Sequence, residues 1–90
     1  MQLGKFKLGN VVSTAAVARN YSQAEIAMFV ARHASGDWGD LGDEDRQANE
    51  EGLKTGDRLM SVYNTSKGER VWVITEWDRS VTTCLYPSEY

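Results

Sequence analysis

One proline, one cysteine and one histidine occur in the 90 residues of this chain. A single cysteine excludes a disulfide framework, and one Cys with one His cannot assemble a self-contained structural zinc site. A single proline excludes a collagen-like chain. Long apolar runs are missing too. Nothing approaches the roughly 18 apolar residues that span a bilayer, and the most apolar window, Ala24 to Ala31, already contains Glu25. The opening Met1-Gln2-Leu3-Gly4-Lys5 lacks the apolar stretch of a signal peptide. With Cys84 read as a small hydrophobe in a reducing compartment, these absences predict a cytoplasmic protein with no membrane partner. No Walker loop, dinucleotide fingerprint, nucleophile elbow or paired-histidine metal motif is present, so no cofactor and no metal are implied.

What is present is the composition of an ordinary globular domain, 41% hydrophobic and 26% charged, with no repeat or linker, so residues 1–90 are read as one domain. The net charge of -3 hides an asymmetry. From Gly36 to Asp57 there are eight acids (Asp37, Asp40, Asp43, Glu44, Asp45, Glu50, Glu51, Asp57) against Arg46 and Lys54, a net of -6. The remainder carries +3, so the chain has the means to present two unlike faces. A solvated helix that keeps a small domain soluble would use the same acids.

Ser22-Gln23-Ala24-Glu25 has the spacing of a capping box, and Ile26, Phe29, Val30 and His33 then share one helical face. Gly36 is the natural stop. A second, polar helix is predicted from Asp43 to Gly52 or Gly56, with its acids in the first turn and a narrow apolar face of Leu41, Ala48 and Leu53. Ser13 or Thr14 would cap a short helix over Ala15 to Asn20, and the first dozen residues read as an edge strand or an arm. Arg58 to Tyr63, Arg70 to Glu76 and Val81 to Tyr86 read as strands, with Val71-Trp72-Val73-Ile74 central because it is apolar on both faces. The expected fold is therefore α+β, with N-terminal helices packed on a three- to four-stranded antiparallel β-meander.

His33, the only histidine, lies near a helix C-terminus, where the dipole favours its protonated form and makes it a candidate general acid or base. A buried imidazole satisfied by the backbone is the competing reading. Thr75, Arg79, Ser80, Thr82 and Thr83 form the densest set of hydroxyls with a cation, a grouping suited to phosphate. Alternation puts Val81 and Thr83 on one strand face and Thr82 and Cys84 on the other, so a regular strand does not converge them all. Ordinary strand threonines with an Asp78–Arg79 turn ion pair are the alternative. Asp37, Asp40, Asp43 and Asp45 crowd together, but calcium-loop spacing and a closing Glu are not reproduced. Trp72, Trp77, Tyr63 and Tyr86 could stack bases; Trp72 suits a core better, and Trp77 sits in a turn.

The stretch Arg32-His33-Ala34-Ser35-Gly36-Asp37-Trp38-Gly39-Asp40-Leu41, followed by Trp72-Val73-Ile74-Thr75-Glu76 and Asp78-Arg79-Ser80-Val81-Thr82-Thr83, resembles a family of small proteins carried by bacterial plasmids, phages and integrated elements. The likeness covers roughly residues 22–90 and brings no established activity. In architecture the chain is similar to metal-independent ribonuclease toxins of the barnase–EndoU–colicin–RelE class. That similarity implies His33 as base or acid, Arg79 as phosphate clamp and Ser80, Thr82 or Thr83 as oxyanion donors, with RNA as substrate. Glu76, Asp37 or Tyr86 would supply the second titratable group. The other reading is a non-catalytic acidic accessory protein or inhibitor, of anti-CRISPR or anti-restriction type. Its acidic segment would meet a host nucleic-acid-binding protein, with Arg32, Asp37, Trp38, Asp40 and Trp77 as contact residues.

Overall fold

The structure, a computed structural model, describes residues 4–90. The Met1-Gln2-Leu3 opening lies outside the described residues.

One six-residue helix and two of 12 and 13 residues lie between the first strand and the other three. Thr14 caps α1 (Ala15–Asn20) by accepting from the Val17 N–H. The capping box forms at α2 (Gln23–Ala34): the Ser22 hydroxyl accepts from the Glu25 N–H, and the Glu25 carboxylate accepts from the Ser22 N–H. At its far end the Gly36 N–H bonds to the His33 carbonyl and the Asp37 N–H to that of Arg32. This paired closure needs the left-handed φ of +86° that Gly36 supplies. The polar helix α3 spans Asp43–Thr55 and stops at Gly56. Its buried face is Asn49 and Gly52, while Ala48 is exposed. Of the apolar face expected from the sequence, Leu41 and Leu53 do pack, half-buried, against the Phe6–Trp38–Leu59 cluster, and Ala48 is the exception.

The sheet has the order β1-β4-β3-β2, with β1 Asn10–Ser13, β2 Leu59–Asn64, β3 Arg70–Thr75 and β4 Val81–Leu85. β2, β3 and β4 form the antiparallel meander expected, and β3 is internal. β1 adds an edge strand parallel to β4, so the sheet is mixed and not wholly antiparallel. The helical layer intervenes between β1 and the meander, and the connection returns the chain to run beside β1 in the same direction. Register sets the faces: Ser61 pairs with Val73, Val73 with Cys84, and Thr75 with both Leu59 and Thr82. These side chains turn toward the helices. The core there joins Val17, Tyr21, Phe29, Val30, Tyr63, Val71, Val73 and Cys84. A second cluster holds Phe6, Trp38 and Leu59. Burial pushes the Cys84 thiol up to about 11, which leaves it an unreactive core residue.

The two sheet edges differ. The outer edge of β2 is closed by the Asn49 side chain, whose amide donates to the Met60 carbonyl and whose oxygen accepts from the Met60 N–H. Further along, the Val62 N–H donates to the Trp38 carbonyl and the Asp40 N–H to the Val62 carbonyl. Asn49 thus stands in for one residue of a missing strand. Asn49→Ala is expected to cost about 2 kcal/mol, since it orphans a donor and an acceptor together. A urea midpoint unchanged from wild type would contradict this.

No helix among the described residues is long and apolar enough to cross a membrane.

Candidate functional site

His33 is fully buried, at 0% exposure, between α2 and the sheet. Both ring nitrogens go to hydroxyls: Nδ1 to Ser61 Oγ at 2.5 Å and Nε2 to Thr75 Oγ1 at 2.9 Å. Thr75 Oγ1 also meets Thr82 Oγ1 at 2.7 Å, and the Thr82 hydroxyl donates to the Leu8 carbonyl at 2.7 Å. The direction of every proton follows. Thr82 spends its hydrogen on Leu8, so Thr75 must donate to Thr82. Thr75 can then only accept from His33 Nε2–H, and Nδ1 accepts from Ser61. The chain of bonds is satisfied with a neutral imidazole and fixes its tautomer. Burial among apolar groups lowers the His33 pKa to about 4, and the charge of Arg79 adds to the effect. The helix dipole expected to favour imidazolium is outweighed by desolvation. Among the described residues the ring bonds to Ser61 and Thr75 and to no carboxylate or phenol, so Glu76, Asp37 and Tyr86 are not hydrogen-bonded to it. Tyr86 is engaged elsewhere, with Asn20 and Glu69.

Arg79 sits in the β3–β4 turn with φ of +61°, a left-handed conformation held by its own side chain. The guanidinium donates to four backbone carbonyls: Asp57 at 2.7 Å, Gly52 at 3.0 Å, Glu76 at 3.1 Å and Trp77 at 3.3 Å. It therefore places a cation at the C-terminal end of α3, where the helix dipole favours one. Asp78 forms no ion pair with it and instead accepts from the Ser80 N–H and hydroxyl. His33 and Arg79 both border the Phe6 ring, at 5.2 Å from its centroid for the imidazole and 5.8 Å for the guanidinium carbon. No hydrogen bond joins the two among the described residues, and the Phe6 ring packs against both.

The hydroxyls separate as alternation required. Thr82 is buried with Thr75, Thr83 lies half-buried on the opposite face beside Ile74, and Ser80 is exposed. Trp38 is not a contact residue: it is 3% exposed, stacked on Phe6, and its Nε1–H donates to Glu50. Trp77 is free, at 67% exposure, and Trp72 packs edge-on to Tyr90.

Three of the expected contact residues do come together, in an open cleft of about 410 Å³ at the end of α2. The turn after Gly36 swings Asp37 back so that Arg32 Nε donates to its carboxylate at 2.7 Å. That bond holds the Asp37 carboxyl below its usual range. Arg32 lies over the Tyr63 ring, 4.4 Å from its centroid, and the Tyr63 hydroxyl donates to the Asp37 carbonyl. Gly39 is required here: at φ +75° a Cβ would stand 2.0 Å from the Val62 carbonyl oxygen. Asp40 then pairs with Arg70 and accepts from Asn64. Arg70, Asn64, Ser61 and Glu50 were not singled out by the sequence. Of these, only Ser61 left a signal, as a small polar residue at an inward position of an otherwise apolar strand.

All eight acids between Gly36 and Asp57 are exposed. Among the described residues the ion pairs are Arg32–Asp37 and Arg70–Asp40, and none involves an acid of α3. Arg46 turns inward to the Gly39 and Leu41 carbonyls. Among the described residues the helix thus presents its negative charge free of ion pairs, with Glu50 accepting from Trp38 and Glu51 from Gln47. Among the described residues no group of three His, Cys, Asp or Glu side chains is placed to hold a metal ion. Comparison with known protein families, with characterised proteins and with solved structures finds no match for this chain.

Proposed function

We propose that this chain is a non-catalytic binding protein. Its acidic helix α3 and the adjoining Arg32–Asp40 cleft occupy a basic, nucleic-acid-binding surface on a partner protein. The observation that carries the reading is a contrast. His33 and Arg79 are bonded within the fold, while the acids of α3 are exposed and form no ion pair among the described residues. Unpaired surface charge of one sign gives steering and partner selection, which a buried neutral imidazole cannot. The likeness to plasmid- and phage-borne proteins suggests a host defence nuclease as the partner, met in the cytoplasm. RNA itself is disfavoured as a ligand, because phosphates would approach a field of their own sign.

The test is capture from nuclease-treated lysate of the host cell on the immobilised chain. A basic, nucleic-acid-binding protein is expected on the column and should be displaced by excess duplex DNA. Reversing Asp43, Glu44 and Asp45 to Lys is expected to weaken capture by about tenfold or more. The neutral triple Asp43→Asn, Glu44→Gln, Asp45→Asn controls for helix stability, since lysines in a first turn also oppose the dipole. Equal capture by wild type and the lysine triple would overturn the reading. RNA cleavage by the pure chain in chelator, lost in His33→Gln, would restore the ribonuclease in its place.

A further inference from the structure

At the edge of the sheet opposite α3, β1 has β4 as its one strand partner among the described residues. The Asn10 N–H donates to the Ser80 carbonyl and the Thr14 N–H to that of Cys84. In a parallel ladder alternate residues face opposite neighbours, so Val11 and Ser13 turn their backbone N–H and C=O groups outward. The open edge runs beside a groove of about 900 Å³ between α2 and the arm that leads into β1. Small and apolar side chains make its walls: Ala27, Val30, Ala31 and Ala34 from the helix, Leu8 and Val11 from the arm and strand. Val11, 48% exposed, therefore contributes both free backbone groups and a groove wall. The arm holds its course because Gly9, at φ +65°, runs so close to β4 that a Cβ would stand 2.3 Å from the Ser80 carbonyl oxygen. Among the described residues the charged ones lining the groove are Lys7 and Arg79, with no acid, in a chain whose net charge is -3.

We infer that this edge and groove receive an extended segment of a partner protein, apolar at alternate positions and flanked by carboxylates, which adds to the sheet beside β1. Strand addition supplies main-chain hydrogen bonds, and an adjacent groove selects alternate side chains. Lys7 supplies the charge complementarity, and Arg79, whose donors are held by carbonyls, adds only its charge to the same lining. A second copy pairing through the same strand would bring no carboxylate, since Asn10–Ser13 carries none. The site is independent of the acidic helix and lies at the other end of the strand order.

The experiment uses two fluorescein-labelled peptides, EVTVTVEE and its charge-reversed form KVTVTVKK, with fluorescence anisotropy as the readout. Saturable binding of the acidic peptide is expected, with the basic one weaker by about tenfold or more. Val11→Pro removes an outward N–H that the β1–β4 ladder does not use, at an edge position that tolerates proline, and should abolish binding. Circular dichroism checks its fold. Ala27→Glu, on the exposed groove wall, should weaken acidic-peptide binding by a similar factor and serves if Val11→Pro fails to fold. Binding unchanged in the folded variants, or no saturable binding of the acidic peptide, would overturn the inference. A wild-type dimer in sedimentation that Val11→Pro or Ala27→Glu dissociates would place a second copy in the groove and overturn it as well.

Discussion

Acidification from neutral pH to about pH 4 is expected to cost this protein about 3 kcal/mol through His33 alone. The sign follows from the proton balance. Unfolded, the imidazole titrates near 6.5; folded, it titrates near 4. Between those values the unfolded chain binds a proton that the folded chain refuses, so stability falls with falling pH. Above 6.5 the contribution is fully present, and below about 4 the loss is complete. The structural reason is burial: an imidazolium would lose its hydration in a site lined by the Phe6 and Trp38 rings, and the charge of Arg79 opposes it further. Urea unfolding of wild type and His33→Gln across this range isolates the effect. The variant should begin less stable at neutral pH, with Ser61 and Thr75 poorly matched, but lose less on acidification. Parallel curves for the two proteins would show that the imidazole titrates normally and is not enclosed. Carboxylates held below their usual range, such as Asp37 and Glu25, add their own losses to both proteins alike.

Arg79→Met is expected to destabilise the fold by about 3 kcal/mol, because carbonyls of α3 and of the turn lose a charged donor together. The Gly52 and Glu76 carbonyls are in partly buried surroundings, so water replaces the guanidinium only in part. The left-handed φ of +61° costs arginine and methionine alike and does not enter the difference. Arg79→Lys keeps the charge but not the planar fork, and should fall between the two. A loss below about 0.5 kcal/mol for Arg79→Met, a value typical of exposed positions, would mean that the guanidinium is free in solution and available to a ligand.

Secondary structure was legible where local chemistry is strong. The Ser22–Glu25 box, the Gly36 stop and the β-branched runs each act within a few residues, and the helix and the meander formed on them. α3 was legible in extent but not in attachment. Besides the Leu53 contact with the second cluster, it is held by Asn49, a polar residue whose partner is the backbone of β2, and no periodicity of hydrophobic residues reveals a side chain that imitates a strand. The parallel pairing of β1 was hidden for a related reason, since the partner strand lies some seventy residues away and leaves no local mark. Trp38 misled because a tryptophan in a polar loop resembles a surface anchor, and only packing turns it inward between Phe6 and His33.

For the candidate site, residue chemistry and spacing settled what each side chain is able to do: imidazole to titrate, guanidinium to bind oxygen, the acids of α3 to repel phosphate. Whether a group faces solvent or core depends on long-range contacts, and these reassigned the roles. Desolvation turned the histidine into a neutral link among hydroxyls, and four carbonyls turned the arginine into a clasp for the end of a helix. The acidic helix kept the character read from composition, because charge that stays exposed needs no tertiary partner to act.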